Sequence, residues 1–170
     1  LIQATAYYVR AIRLESPRAP ELLWNLIQQP GYRESLEKRA TSHDPEAQFA
    51  WAALVASRFD QLLSGEQAFK LLGEAANQNH VQGIIELGLC YHSGRWVQQD
   101  KAKAEGLWRI ADGLGSPEAR IRLIVSEIMK IPSKAPNAKA ISYLQTSSEE
   151  GSILAQVALA FCHERGLGKA

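Results

Sequence analysis

The chain has 170 residues, 46% of them apolar and 22% charged, the size and balance of one folded domain with a core and a charged surface. Its 19 basic and 18 acidic side chains leave a formal net charge of +1 and no basic stripe, so the electrostatic footprint of phosphate-backbone binding is missing and no nucleic acid is expected as partner. The longest apolar run, 153–162, is broken by Gln156 and is far too short to span a bilayer, so no membrane span is expected.

Residues 3–15 predict a first helix, with Tyr7, Ala11 and Leu14 on one stripe and Tyr8 and Ile12 beside it. Ser16-Pro17 ends it, because the residue before a proline avoids helical angles. Residues 19–29 predict a second helix with Leu23, Trp24 and Ile27 inward, and Pro30-Gly31 turns the chain. Residues 32–41 predict a third. From Asp44 onward the pattern is regular, with helices expected near 45–57, 65–78, 81–92, 100–113, 117–129, 136–149 and 153–164. No strand-like alternation persists anywhere, and the chain reads as all-α.

The regularity is a repeat. Small residues recur every 36 positions at Ala47, Gly83, Ala119 and Ala155, followed four residues later by Trp51, Leu87, Leu123 and Leu159. In the second half of each unit Ala68, Ala104 and Ala140 align, as do Leu71, Leu107 and Tyr143, then Leu72, Trp108 and Leu144, then Ala75, Ala111 and Ser147. Spacings of three, four and seven make one helix stripe. His43, Asn79, Gly115 and Gly151 fall where a helix needs a left-handed stop. Asp44, His80, Ser116 and Ser152 follow them, three of these being good N-caps, and Pro45 and Pro117 take the first helical position. Two helices at a fixed period of this length mark a helical solenoid. The units are 44–80, 81–116, 117–152 and a first helix at 153–170, preceded by an atypical capping segment at 1–43, in one continuous domain. Leu1 is expected to begin a cut or processed chain, and the last unit is expected to continue.

In its second unit the chain resembles the Sel-one-like repeats, relatives of the tetratricopeptide repeats, through Gly83, Leu87, Gly88, Tyr91, Gly94, Val97, Asp100, Lys103, Ala104, Ala111 and Gly115. It departs from that pattern at Trp96, where glycine is usual, at Asp112, and at Leu107 with the tryptophan one place later at Trp108. The third unit keeps Ala119, Leu123, Lys139, Ala140 and Gly151 but has Pro132 and Pro136 in place of the glycine loop. The last keeps Ala155, Leu159, Gly166 and Gly168. The resemblance implies a right-handed α/α superhelix over 44–170 whose first helices line a concave surface.

No catalytic, cofactor or metal site is expected. Cys90 and Cys162 hold the same slot two units apart, too far for a disulfide when stacked helix layers are ~9 Å apart. A cysteine-rich branch of the resembled family is β-lactamase-like, but its paired cysteines are absent here. His92 and His163 each stand near one cysteine, and neighbouring side chains on a helix diverge, so neither pair gathers the three or four ligands a metal needs. Trp24, Trp51 and Trp108 fall on core stripes, whereas Trp96 lies in a loop and is a candidate partner contact.

The non-packing arc of the first helices carries the remaining candidates. It holds Phe49, Gln82, Ile85, Glu86, Leu89, His92, Glu118, Ile121, Arg122, Val125 and Phe161, together with Glu46, Ala50, Ala53, Leu154 and Val157. Apolar anchors among charges of both signs suit a protein or peptide. The opposing expectation is that Phe49, Ile85, Ile121 and Val157 pack between neighbouring first helices. The function read from the sequence is a non-catalytic interaction scaffold, with a hydrolase of the cysteine-rich type or a structural spacer in a longer protein as alternatives. Oligomeric state is open, and unpaired cysteines favour a reducing compartment such as the cytoplasm. Mass spectrometry without reductant is expected to find both Cys90 and Cys162 alkylated after denaturation; an intrachain bridge between them would refute the stacking.

Overall fold

The computed structural model describes residues 1–13, 16–130 and 138–167, and all regular structure among them is α-helical. The helices are α1 (Ile2–Arg13), α2 (Ala19–Ile27), α3 (Tyr32–Thr41), α4 (Pro45–Ala56), α5 (Gly65–Asn77), α6 (Val81–Ser93), α7 (Lys101–Gly113), α8 (Pro117–Lys130), α9 (Ala138–Glu149) and α10 (Ile153–Glu164). Leu14, Pro132, Pro136 and Gly168, and the start of the helix expected at 136–149, lie outside the described residues.

The repeated boundary residues do what their chemistry requires. His43, Asn79, Gly115 and Gly151 adopt φ of 62°, 59°, 87° and 90°, the left-handed turn that stops each second helix. Each is followed by a cap: Asp44 accepts from Glu46 N, Ser116 Oγ from Ala119 N at 3.2 Å and Ser152 Oγ from Ala155 N at 3.3 Å. His80, which sequence reasoning left out of the good caps, caps α6 as well. Its Nδ1 accepts from Gly83 N at 3.0 Å, leaving Nε2–H to donate to Glu46 Oε2 at 3.1 Å. Asp100 Oδ1 accepts from Lys103 N and starts α7 in the same way.

The chain divides within α7 into two compact units, Leu1–Ala104 and Glu105–Ala170, where the sequence led us to expect one continuous domain. In the first unit α1 packs on α2 and α4, α3 on α4, α4 on α5, and α5 on α6. Leu23, Leu36, Ala50, Trp51 and Leu72 form its core. Most of its buried polar groups are paired, as desolvation demands. The Thr5 and Tyr32 hydroxyls lie 2.5 Å apart, and Asp60 accepts from Arg33 Nη2 at 2.7 Å, Trp51 Nε1 at 3.2 Å and Leu62 N at 2.7 Å. Gln48 donates to Glu74 at 2.6 Å and accepts from Gln78 at 3.1 Å, joining α4 to α5.

In the second unit α10 packs on α9 and α8, and α8 also meets α9. Ile121, Ile128, Leu144 and Cys162 form the core. A buried carboxylate ties α7 to α8: Glu105 accepts from Ser126 Oγ at 2.6 Å, Lys130 Nζ at 2.7 Å and Arg109 Nη2 at 3.3 Å.

Two packing expectations are corrected. Tyr7 is 65% exposed, and the buried stripe of α1 is Ile2, Thr5 and Val9. Trp24 is 52% exposed, while Leu23 and Leu26 face the core, opposite the polar side of α2 that Glu21 and Asn25 form. Leu87, Leu123 and Leu159, which hold one slot of the repeat, are alike in being half-buried. The expectation for Trp51 and Trp108 holds, and both are buried.

Trp96 shows why its position is usually glycine in the resembled repeats: its φ is 64°. A large side chain there costs about 1–3 kcal/mol of backbone strain. The indole offsets that by seating itself on Gly65 at the start of α5, where an added methyl would come within 2.8 Å of Trp96 Cγ. Gly65→Ala is therefore expected to destabilise the protein by about 1–3 kcal/mol through overpacking. In a Trp96→Gly background the same change should cost nothing, since alanine is the better helix former. Additive losses in a double-mutant cycle read by urea unfolding would dissolve this link.

The donors around Glu105, Lys130 first and Ser126 next, hold its carboxyl below the usual range against the opposing effect of burial. A depressed carboxylate contributes stability that is present above the unfolded value of about 4.3 and is lost as pH falls through the lower folded value. Thermal melts between pH 3 and 7 are expected to show a shallower acid loss for Glu105→Gln than for the wild type. Parallel curves would remove Glu105 from the acid response.

Candidate interaction surface

The first helices α4, α6, α8 and α10 carry the candidate arc, and the structure sorts its residues by depth. Phe49, Ile85 and Ile121 are buried. Phe49 lies against the His80 ring with centroids 5.2 Å apart, so α4 meets the start of α6 through this slot. These three side chains serve helix packing and cannot present themselves to a partner in this conformation. A helical wheel gives the direction of a side chain but not which neighbour stands there.

Glu86 is also buried, at 2% side-chain exposure. It pairs with Arg13 at the end of α1 and with Arg95 Nη2 at 3.1 Å. Arg95 reaches further, donating to Cys90 Sγ at 3.6 Å and stacking over the Trp96 ring at 4.8 Å. Glu86 and Arg122, which share a slot in adjacent repeats, therefore each have partners inside their own unit. Arg122 binds Glu118 Oε1 through Nη2 at 2.7 Å and Nε at 3.2 Å, and lies over the Trp108 ring at 5.9 Å.

The other candidates are accessible. On α6 Gln82 and Leu89 are half-buried and His92 is exposed, its carbonyl accepting from Gln99 Nε2 at 2.7 Å. Trp96 is half-buried on the core of the first unit. In the second unit Glu118, Arg122 and Val125 on α8 and Phe161 on α10 are all half-buried, with Arg165 over the Phe161 ring at 5.3 Å. Sequence reasoning missed one aromatic pair, exposed Trp24 with half-buried Phe59 at 6.5 Å between centroids. A tryptophan at an apolar helix position reads as core from sequence alone.

The two thiols are not poised as nucleophiles. Cys90 and Cys162 are free and buried, and burial pushes both thiols up, partly offset at Cys90 by the Arg95 hydrogen bond. A thiol so raised is protonated at neutral pH and is a poor nucleophile. Among the described residues no three His, Cys, Asp or Glu side chains gather as a metal site, and no helix is long and apolar enough to cross a membrane.

No family model and no curated protein matches the chain. Solved structures do. A Sel1 repeat protein from Oxalobacter formigenes superposes with a TM-score of 0.61 at 22% identity, over 76% of this chain and 98% of its own. The protein c5321, a protective antigen of uropathogenic Escherichia coli strains displaying an SLR fold, superposes with a TM-score of 0.67 at 17% identity over 99% of this chain, which spans 38% of that protein. With ten helices among the described residues, each repeat boundary capped in register, the chain has the Sel1-like repeat fold, a helical repeat solenoid.

Proposed function

We propose that the chain is a non-catalytic scaffold that binds a protein or an extended peptide through its accessible first-helix surface. The observation that carries this is the α8–α10 face of the second unit. There Glu118 and Arg122 form an ion pair on α8, and Val125, Leu154 and Phe161 stand half-buried against the core of the same unit. Apolar groups that remain partly in water give a partner area to bury, and a charge pair already held in place orients it without an added ordering cost. On α6, Gln82, Leu89 and His92, with the Trp96 loop, offer a smaller surface of the same kind. The raised thiols and the absence of paired cysteines weigh against the cysteine-rich hydrolase alternative.

The double change Glu118→Lys with Arg122→Glu keeps an i, i+4 pair while reversing the charges offered to a ligand. Stability is expected to change by less than about 1 kcal/mol, as for other pairs near a surface. A partner recovered with the wild-type chain should lose at least ten-fold in affinity for the swapped chain by titration. Unchanged affinity would move the contact surface off α8.

A further inference from the structure

Asp44, Ser116 and Ser152 cap α4, α8 and α10 with oxygen atoms, whereas His80 caps α6 with a ring nitrogen. Histidine as a residue type is the side chain that changes charge between about pH 5 and 8. One repeat boundary is therefore closed by a group of a different kind from the other three.

Two contacts fix the His80 ring, and they respond oppositely to a proton. Nδ1 accepts from Gly83 N at 3.0 Å, which requires a bare lone pair on that atom. Nε2–H donates to Glu46 Oε2 at 3.1 Å, which a charged ring does more strongly. A proton from water added to Nδ1 removes the cap and turns the second contact into an ion pair. It also sets a positive charge at the start of α6, where the helix dipole repels it. The ring is within reach of solvent, at 15% side-chain exposure beside 29% for Glu46. The Phe49 ring, 5.2 Å away between centroids, offers the charged form an aromatic neighbour.

The other charged groups at this junction have partners of their own. Glu74 on α5 is turned to His43, Lys70 and Gln48, Asp44 is paired with Arg39, and α6 has no acidic residue in its first turn. The cap also guards a close helix approach. Gly83 is buried, and a methyl group there would stand 3.1 Å from the Ala75 methyl on α5.

We propose that His80 is a proton-operated cap. Protonation moves the ring off Gly83 while it keeps Glu46, and so loosens the first turn of α6 on α5, whereas the serine-capped α8 and α10 hold. The device is local to the first unit and independent of which partner the scaffold binds.

Nuclear magnetic resonance of the whole chain between about pH 8 and pH 5 tests it. The His80 ring nitrogens report the titration, and amide protection, taken relative to the unfolded-chain exchange rate at each pH, reports the cap. At the upper end Nδ1 is expected to be the bare nitrogen. Through the ring's own midpoint Gly83 should lose about three- to ten-fold in protection, the worth of one hydrogen bond, with Ala119 and Ala155 unchanged. His80→Ser, which installs the cap of the two later boundaries, should keep Gly83 protected across the range. Glu46→Gln should keep the cap and move the midpoint to lower pH, since the ring loses the carboxylate that favours its charge. The proposal is overturned by a ring that stays neutral down to the lowest pH. A Gly83 protection that ignores the ring's titration, or an equal loss in His80→Ser, overturns it as well.

Discussion

The fold depends on how closely each first helix can approach the second helix before it. Ala47, Ala119 and Ala155 are fully buried, and at Gly83 even a methyl group would stand 3.1 Å from the Ala75 methyl and 3.3 Å from His80 Nδ1. Contacts that tight leave no room for a larger side chain, because packed interiors do not yield by more than a few tenths of an ångström. The stops and caps follow from the same limit. A helix that must begin against its neighbour needs its entry angle fixed, and the left-handed residue followed by a side-chain cap fixes it at His43–Asp44, Asn79–His80, Gly115–Ser116 and Gly151–Ser152.

What varies between repeats is polar and is paired locally. Gln48, Asp60 and Glu86 in the first unit and Glu105 in the second are buried, and each has at least two partners. Such groups are expensive to leave unpaired, so each network admits one arrangement of its helices and few others. Trp96 belongs with these devices. It accepts a strained backbone in return for contact with Gly65 and Arg95, which joins the α6–α7 loop to α5. The candidate loop residue is therefore as much a packing element as a surface one.

The surface is what the repeat leaves over. On α4 the small residues Ala50 and Ala53 are covered, and on α8 the equivalent positions hold half-buried Arg122 and Val125. The same helix type thus serves as core in one place and as interaction surface in another. The difference lies in the neighbours, since the local pattern is shared.

The sequence by itself determined the helices, their ends and the period. These are local properties: a left-handed stop, a cap and a stripe of small and apolar residues act within a few residues of one another, and the helix ends expected among the described residues fall within about two residues of where they were expected. His80 as a cap escaped notice because histidine seldom fills that role, although its place in the repeat pointed to it. The candidate site was half legible. Which arc of each first helix lay off the packing stripe could be read, but not that Ile85 and Glu86 lie inside and Val157 outside. Residues in one register slot carry the same local signal, and only the tertiary structure decided which of them has a neighbour. Arg13 meeting Glu86 across 73 residues of chain, and Trp24 turned outward beside inward Leu23, are decided the same way. Burial depends on what is packed above a helix, and a helix's own sequence does not contain that.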